Sequence, residues 1–176
     1  MTESMRISVL DNSFKTINDW LKYAEQKNAS LIIFNAGLIW GVTRLFMTKV
    51  NINQVNECLN WIGYTSASLA IVIAIISMMP VLSRNWYFSK AKNHQDNVFY
   101  FGDIAKYNTV DYLKLIGEKH DIQDKYNPIE FDLASQVVIN SEIALAKFQR
   151  FKLVSNLTII SIMAFLTSII IFLVDK

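Results

Sequence analysis

Two prolines, five glycines and one cysteine are few for a chain of 176 residues, and each shortage excludes something. Cys58 has no second cysteine to pair with and no cysteine or histidine at metal-ligand spacing, so neither an internal disulfide nor a zinc site can be built. A formal net charge of +2 is too weak for the dense basic face of a nucleic-acid binder, and no nucleic-acid partner is expected. There is no phosphate-binding glycine loop and no nucleophile elbow. The dipeptide His120-Asp121 has only His94 to help it, too few histidines for a metal-dependent phosphohydrolase. The chain reads as non-enzymatic, without metal or cofactor. The stretch Met1 to Asn12 also lacks the apolar run and cleavage site of a signal peptide, so insertion into a membrane would use internal segments.

Hydrophobic residues make up 52% of the chain, more than a soluble domain of this size needs. A bilayer core about 30 Å thick takes roughly 20 apolar residues in a helix. Three windows come close: 31–47, 62–82 and 153–174. The third holds no charge between Lys152 and Asp175, and a helix apolar on every face has nowhere to hide in so small a soluble chain. The first holds Asn35, which can hydrogen-bond a neighbouring helix, and Arg44, which can snorkel outward.

Ten lysines and arginines fall between Arg84 and Lys152, against Lys49 alone between Thr48 and Trp61. The positive-inside rule then puts the larger segment in the cytoplasm. The expected layout is a cytoplasmic N-terminal helix (1–30), a span (31–47), an external loop (48–61), a second span (62–82), a cytoplasmic segment (83–152) and a third span (153–174), with the C-terminus external. Trp61 and Tyr64 at the outer end of the second span, and Trp86 and Tyr87 at its inner end, suit the headgroup region.

From Phe14 to Ala36 there is neither glycine nor proline, and Phe14, Ile17, Leu21, Ala24, Asn28, Leu31 and Asn35 recur at 3-4 spacing. One helix, capped by Ser13, is expected to run from the cytoplasm into the membrane. Asn127-Pro128-Ile129-Glu130 has the order of a helix start, and no glycine or proline follows Pro128. Val137, Ser141, Ala144, Phe148 and Phe151 form a second seam that can pack on the Phe14 helix. Between these helices, Asn97 to Asp103 reads as a short strand or a docked loop, and Thr109 to Lys119 as a short amphipathic helix. The fold class is an all-α membrane protein: three transmembrane helices, two of them extended into a cytoplasmic helical module with a small irregular insert.

Small residues mark faces for close packing in lipid: Gly37 and Gly41, then Ser66, Ala70 and Ala74, then Ser161, Ala164 and Ser168. They favour association within one chain or between chains. Asn35, at membrane depth, either locks a helix interface or lines an aqueous path. Arg84, Lys90, Lys92, Lys147, Arg150 and Lys152 gather with Trp86, Tyr87, Phe99, Tyr100 and Phe101 at the inner rim. Cations with aromatic faces can hold a phosphate and stack a base, and the same list also follows from positive-inside topology with interfacial aromatics.

Three places resemble the small transmembrane effectors of the Pycsar antiphage systems. They are Ala24-Glu25-Gln26-Lys27 followed by Asn35-Ala36, then Asn97-Val98-Phe99-Tyr100-Phe101-Gly102, and the helix around Ala144-Lys147-Phe148-Arg150. The family's usual Asp-x-Lys-Ala stands here as Glu25-Gln26-Lys27-Asn28. The resemblance implies a homo-oligomeric bacterial defence effector of the inner membrane, silent until a partner pyrimidine cyclase makes cyclic UMP or cyclic CMP. It then impairs the membrane and causes abortive infection. Ligand contacts are expected among Lys27, Arg84, Asn97, Tyr100, Phe101, Lys147 and Arg150. The alternative is a membrane scaffold or channel-like subunit that docks a cytoplasmic protein.

Overall fold

The computed structural model describes residues 2–47, 53–80, 91–122 and 126–174, with side chains from residue 5 onward. The chain is all-α: α1 Thr2–Phe46, α2 Gln54–Met78, α3 Phe101–Ile104, α4 Thr109–His120 and α5 Pro128–Val174, with no strand among the described residues. α1, α2 and α5 are long and apolar enough to cross a membrane.

The helix ends follow from local chemistry. At the start of α5 the Glu130 backbone N–H donates to Asn127 Oδ1 at 2.7 Å, and the Asn127 N–H donates back to Glu130 Oε2 at 3.0 Å. This is a reciprocal capping box with proline at the first helical position, where its missing N–H has no helical partner to lose. α2 starts on Asn53, whose side chain accepts from the Val55 N–H, and ends at Met78. The expected second span, 62–82, lies within this helix up to Met78, and residues 81–82 lie outside the described residues. Pro80 forces the residue before it out of helical geometry, and Met79 is extended at φ −62° and ψ 142°. Helix α4 is capped by Asn108, which accepts from the Asp111 N–H at 2.8 Å.

Ser13 does not cap α1. It lies inside the helix, donating to the carbonyls of Val9 and Val98 at 2.9 and 3.2 Å. The residues ahead of it join the helix because Val9 and Leu10 have a core to enter. The stretch Asn97 to Asp103 is not a strand. Asn97 starts a turn by accepting from the Phe99 N–H, and Phe101 opens the four-residue α3.

The chain forms two compact units. One, the helical module, comprises Met1–Ala24 and Pro80–Phe148; the other, the spanning unit, comprises Glu25–Met79 and Gln149–Lys176. In the module, Leu10 and Ile17 of α1 pack with Ile104, Tyr112, Leu113 and Ile116 and with Val137 and Val138 of α5. Asn140 Nδ2 donates to Asn18 Oδ1 at 3.0 Å between the same two helices. The spanning unit buries Ala70, Ala74 and Val154 in one cluster, and Val42, Phe46 and Phe165 in another. Along the predicted α1 seam, Ile17, Ala24, Asn28 and Asn35 are fully buried.

Candidate functional site

The insert of the module is held by one buried carboxylate. Asp96 accepts from the Asn93 N–H at 3.0 Å, from Tyr107 Oη at 2.9 Å and from Lys106 Nζ at 2.8 Å, while its carbonyl accepts from Lys119. Burial pushes its carboxyl up, but these donors outweigh burial and hold it below the ordinary value. Lys106 also binds Asp103 at 2.7 Å, and its two carboxylate partners raise its pKa against burial. Burial and the Asp96 carboxylate push the Tyr107 phenol up to about 12. The Tyr112 phenol, donating to the Val98 carbonyl at 2.9 Å, is pushed up by burial as well.

This scaffold presents Tyr100 and Phe101 to an aromatic cluster. Phe101 stacks on Phe148 of α5 at 5.0 Å and 14°. Trp20 of α1 meets Phe101 at 5.7 Å, Phe148 at 5.8 Å and Tyr23 at 6.0 Å. Phe101 is buried and Phe148 partly buried, whereas Trp20, Tyr23 and Tyr100 are 38%, 44% and 45% exposed. Trp20 and Tyr23, with Thr16 and Asp19, line an open pocket of about 430 Å³. Exposed aromatic faces beside hydrogen-bonding groups offer stacking and edge recognition to a planar ligand.

A second pocket of about 290 Å³ lies between the insert and α4, with Lys92, His94, Tyr107, Asp111, Lys114 and Glu118 in its wall. Two pairs of its lining side chains bond each other. Lys92 bonds Asp111 at 2.6 Å and lies over the Tyr107 ring, and His94 meets Glu118 at 3.0 Å. The hydrogen bond from Lys92 lowers the Asp111 pKa.

The residues expected to touch a ligand are distributed over both units. Asn97, Tyr100, Phe101 and Lys147 belong to the module. Only Tyr100 and Phe101 among them join the cluster; Asn97 is exposed, its side chain accepting from the Phe99 N–H, and Lys147 is buried. Lys27 and Arg150 belong to the spanning unit, where Lys27 Nζ lies 5.1 Å over the Phe151 ring. Arg84, like Lys90, Trp86 and Tyr87, lies outside the described residues. Sequence reasoning did not single out Trp20 and Tyr23, the exposed rings of the first pocket, although two large aromatics at i,i+3 on the charged side of an amphipathic helix are a legible signal.

In the spanning unit Asn35 Nδ2 donates to Thr158 Oγ1 of α5 at 2.8 Å, joining two spans as a paired amide in lipid should. Ala70, Ala74, Ser161 and Ala164 are buried between helices. Gly37 and Gly41 are not: a Cβ added at either would meet nothing within 4 Å.

Three helices long and apolar enough to span a bilayer, in a chain that also folds a helical module, define a multi-span membrane protein. The chain belongs to the Pycsar effector family, whose domain model, described as the Pycsar effector protein domain, matches residues 9–174. Membership implies an effector of antiphage defence. The chain is also similar to the Pycsar effector protein RsPycTM of a Rhizobium species, 27% identical over 150 residues that cover 80% of this chain and 81% of the relative. No solved structure matches.

Proposed function

We propose that this effector is a non-enzymatic, homo-oligomeric switch. A cyclic pyrimidine mononucleotide, cyclic UMP or cyclic CMP from a partner cyclase, binds the module, and the spans then impair the inner membrane, so that the infected cell stops growing. The module and the N-terminus lie in the cytoplasm and the C-terminus outside, with the three spans within α1, α2 and α5. The observation that carries this reading is the pocket at Trp20 and Tyr23, backed by Phe101 and Phe148. A pyrimidine ring stacks on such faces at about 1–3 kcal/mol per base. The Asp19 carboxylate beside them accepts from the N3–H of uracil or the exocyclic amine of cytosine. A nucleotide that moves the assembly from 1:99 to 99:1 must bind the active arrangement about 5.5 kcal/mol more tightly. Titration calorimetry with cyclic UMP, CMP, AMP and GMP tests the reading: one pyrimidine nucleotide binds and the purine nucleotides do not. The exposed Trp20, Tyr23 and Tyr100 faces also suit a docked protein. A blank titration with all four nucleotides transfers the module to that scaffold or channel-subunit role.

A further inference from the structure

Polar side chains in the spanning unit fall on one interior seam. At one end Asn28 Nδ2 donates to Ser77 Oγ at 3.1 Å, and two turns along α1 Asn35 meets Thr158. Ser161 Oγ donates to the Gly63 carbonyl at 3.0 Å, and at the far end Ser168 reaches Asn56 at 3.5 Å. From Asn56 to Ser77 α2 rises about 32 Å, the thickness of a bilayer core. Three buried side-chain oxygens along this seam, the Oδ1 atoms of Asn28, Asn35 and Asn60, have no hydrogen-bond partner among the described residues. Asn28 and Asn35 are 0% exposed and Asn60 is 7%. No charged side chain is buried among the described residues of this unit.

Unanswered acceptors inside a bundle have a definite chemistry. They take a donor or a cation, as carbonyl oxygens replace the hydration shell of an ion in a filter, and they repel an anion. A second copy of the chain cannot supply the donor, because the oxygens face the interior of one bundle and not its lipid side. Apolar side chains interrupt the seam at two levels: Ala70, Ala74 and Val154, small or aliphatic, lie between the Asn28 and Asn35 levels, and one aromatic ring lies further along. Phe165, 1% exposed, stands between the Asn35 and Asn56 levels, its ring 5.1 Å from Tyr64 and clustered with Val42 and Phe46. It closes directly on Gly63, where an added Cβ would lie 2.4 Å from a ring carbon. An apolar constriction in a polar track blocks ions by excluding water.

We propose that each chain carries its own cation path along the asparagine seam, held shut by Phe165 against Gly63. This inference rests on the reading that the spans impair the membrane, and it names the route: small monovalent cations and water pass through a protomer, not between copies. The test uses the purified full-length protein in liposomes loaded with potassium chloride, with potassium, chloride and calcein efflux followed separately. Phe165→Ala removes the plug and Gly63→Ala displaces its ring. Either variant should leak potassium about tenfold or more above wild type without nucleotide, chloride more slowly, and calcein not at all. Adding Asn35→Leu or Asn60→Leu to either variant should return the leak to about the wild-type level. The inference is overturned if neither plug variant leaks while both are monodisperse, if the leak survives the asparagine substitutions, or if calcein escapes with potassium. A nucleotide-driven leak of wild type that ignores Asn35→Leu also overturns it and leaves the proposed function standing. A seam-dependent leak in the plug variants, with no response of wild type to any cyclic nucleotide, upholds the path and removes the nucleotide reading.

Discussion

Arg6 and Glu130, 124 positions apart, form an ion pair of 3.1 Å in which both side chains are almost entirely excluded from solvent. It joins the first turns of α1 and α5, and Tyr126 closes over the guanidinium at 4.9 Å. The same carboxylate oxygen also accepts from the Asn127 N–H, so one atom both caps α5 and ties it to α1.

Removing one partner of a buried pair strands the other charge, which costs about 3–5 kcal/mol. Arg6→Leu should therefore destabilise the module by that amount. Arg6→Leu with Glu130→Gln should regain most of it, since glutamine preserves the capping box without the charge. Thermal unfolding of the three proteins in one detergent checks this. Equal losses in the single and double variants would show that the pair is not the source of the effect.

The Asp96 network sets a pH window for the module. A carboxyl held below its ordinary value of 3.8 stabilises the fold above that pH, and the contribution is lost as pH falls through the lower folded value. Lys106, raised above 10.5, stabilises below that pH and is lost as pH rises through its folded value. Tyr107 does the same between 10.0 and about 12. The unfolding midpoint should be flat across the intervening range and fall at both ends. Asp96→Asn should lower the plateau by about 2 kcal/mol and erase part of the acid limb. An unaltered acid limb would assign it to other carboxylates.

Trp20→Ala should weaken binding of the cyclic pyrimidine nucleotide by about tenfold or more, through loss of one stacking face. Calorimetry on proteins of equal stability decides. Wild-type affinity in Trp20→Ala would remove this pocket as the nucleotide site.

Orientation is tested by reporters. An alkaline phosphatase fused after Lys176 should be active, and one inserted near Gln123 inactive, because the latter site lies in the segment rich in lysine and arginine. The reverse pattern would invert the whole assignment of sides.

Helix identity was legible wherever one signal acted over many residues. The lack of proline after Pro128 and the box at Asn127 and Glu130 located α5 to the residue. The recurrence from Ile17 to Asn35 named a buried seam before any neighbour was known. What could not be read depended on distant partners. Ser13 has the chemistry of a cap, and only the core awaiting Val9 and Leu10 draws the helix past it. Asp96 looks like any loop acid until Lys106, Tyr107 and Lys119 fold back on it. The candidate site was half legible: Tyr100 and Phe101 announce themselves by density, but their role depends on Trp20, some 80 residues earlier.

The link between Arg6 and Glu130 also sets an order of events during synthesis. The module is discontinuous in sequence, its first piece made before α2 and its last after it. At 5–20 residues per second, Arg6 waits roughly 6–25 s on the ribosome for its carboxylate. By then the first two spanning helices have already emerged. Membrane insertion thus precedes closure of the module, and a chain whose translation stalls before α5 leaves its module unassembled and its early spans without the third helix that completes their unit.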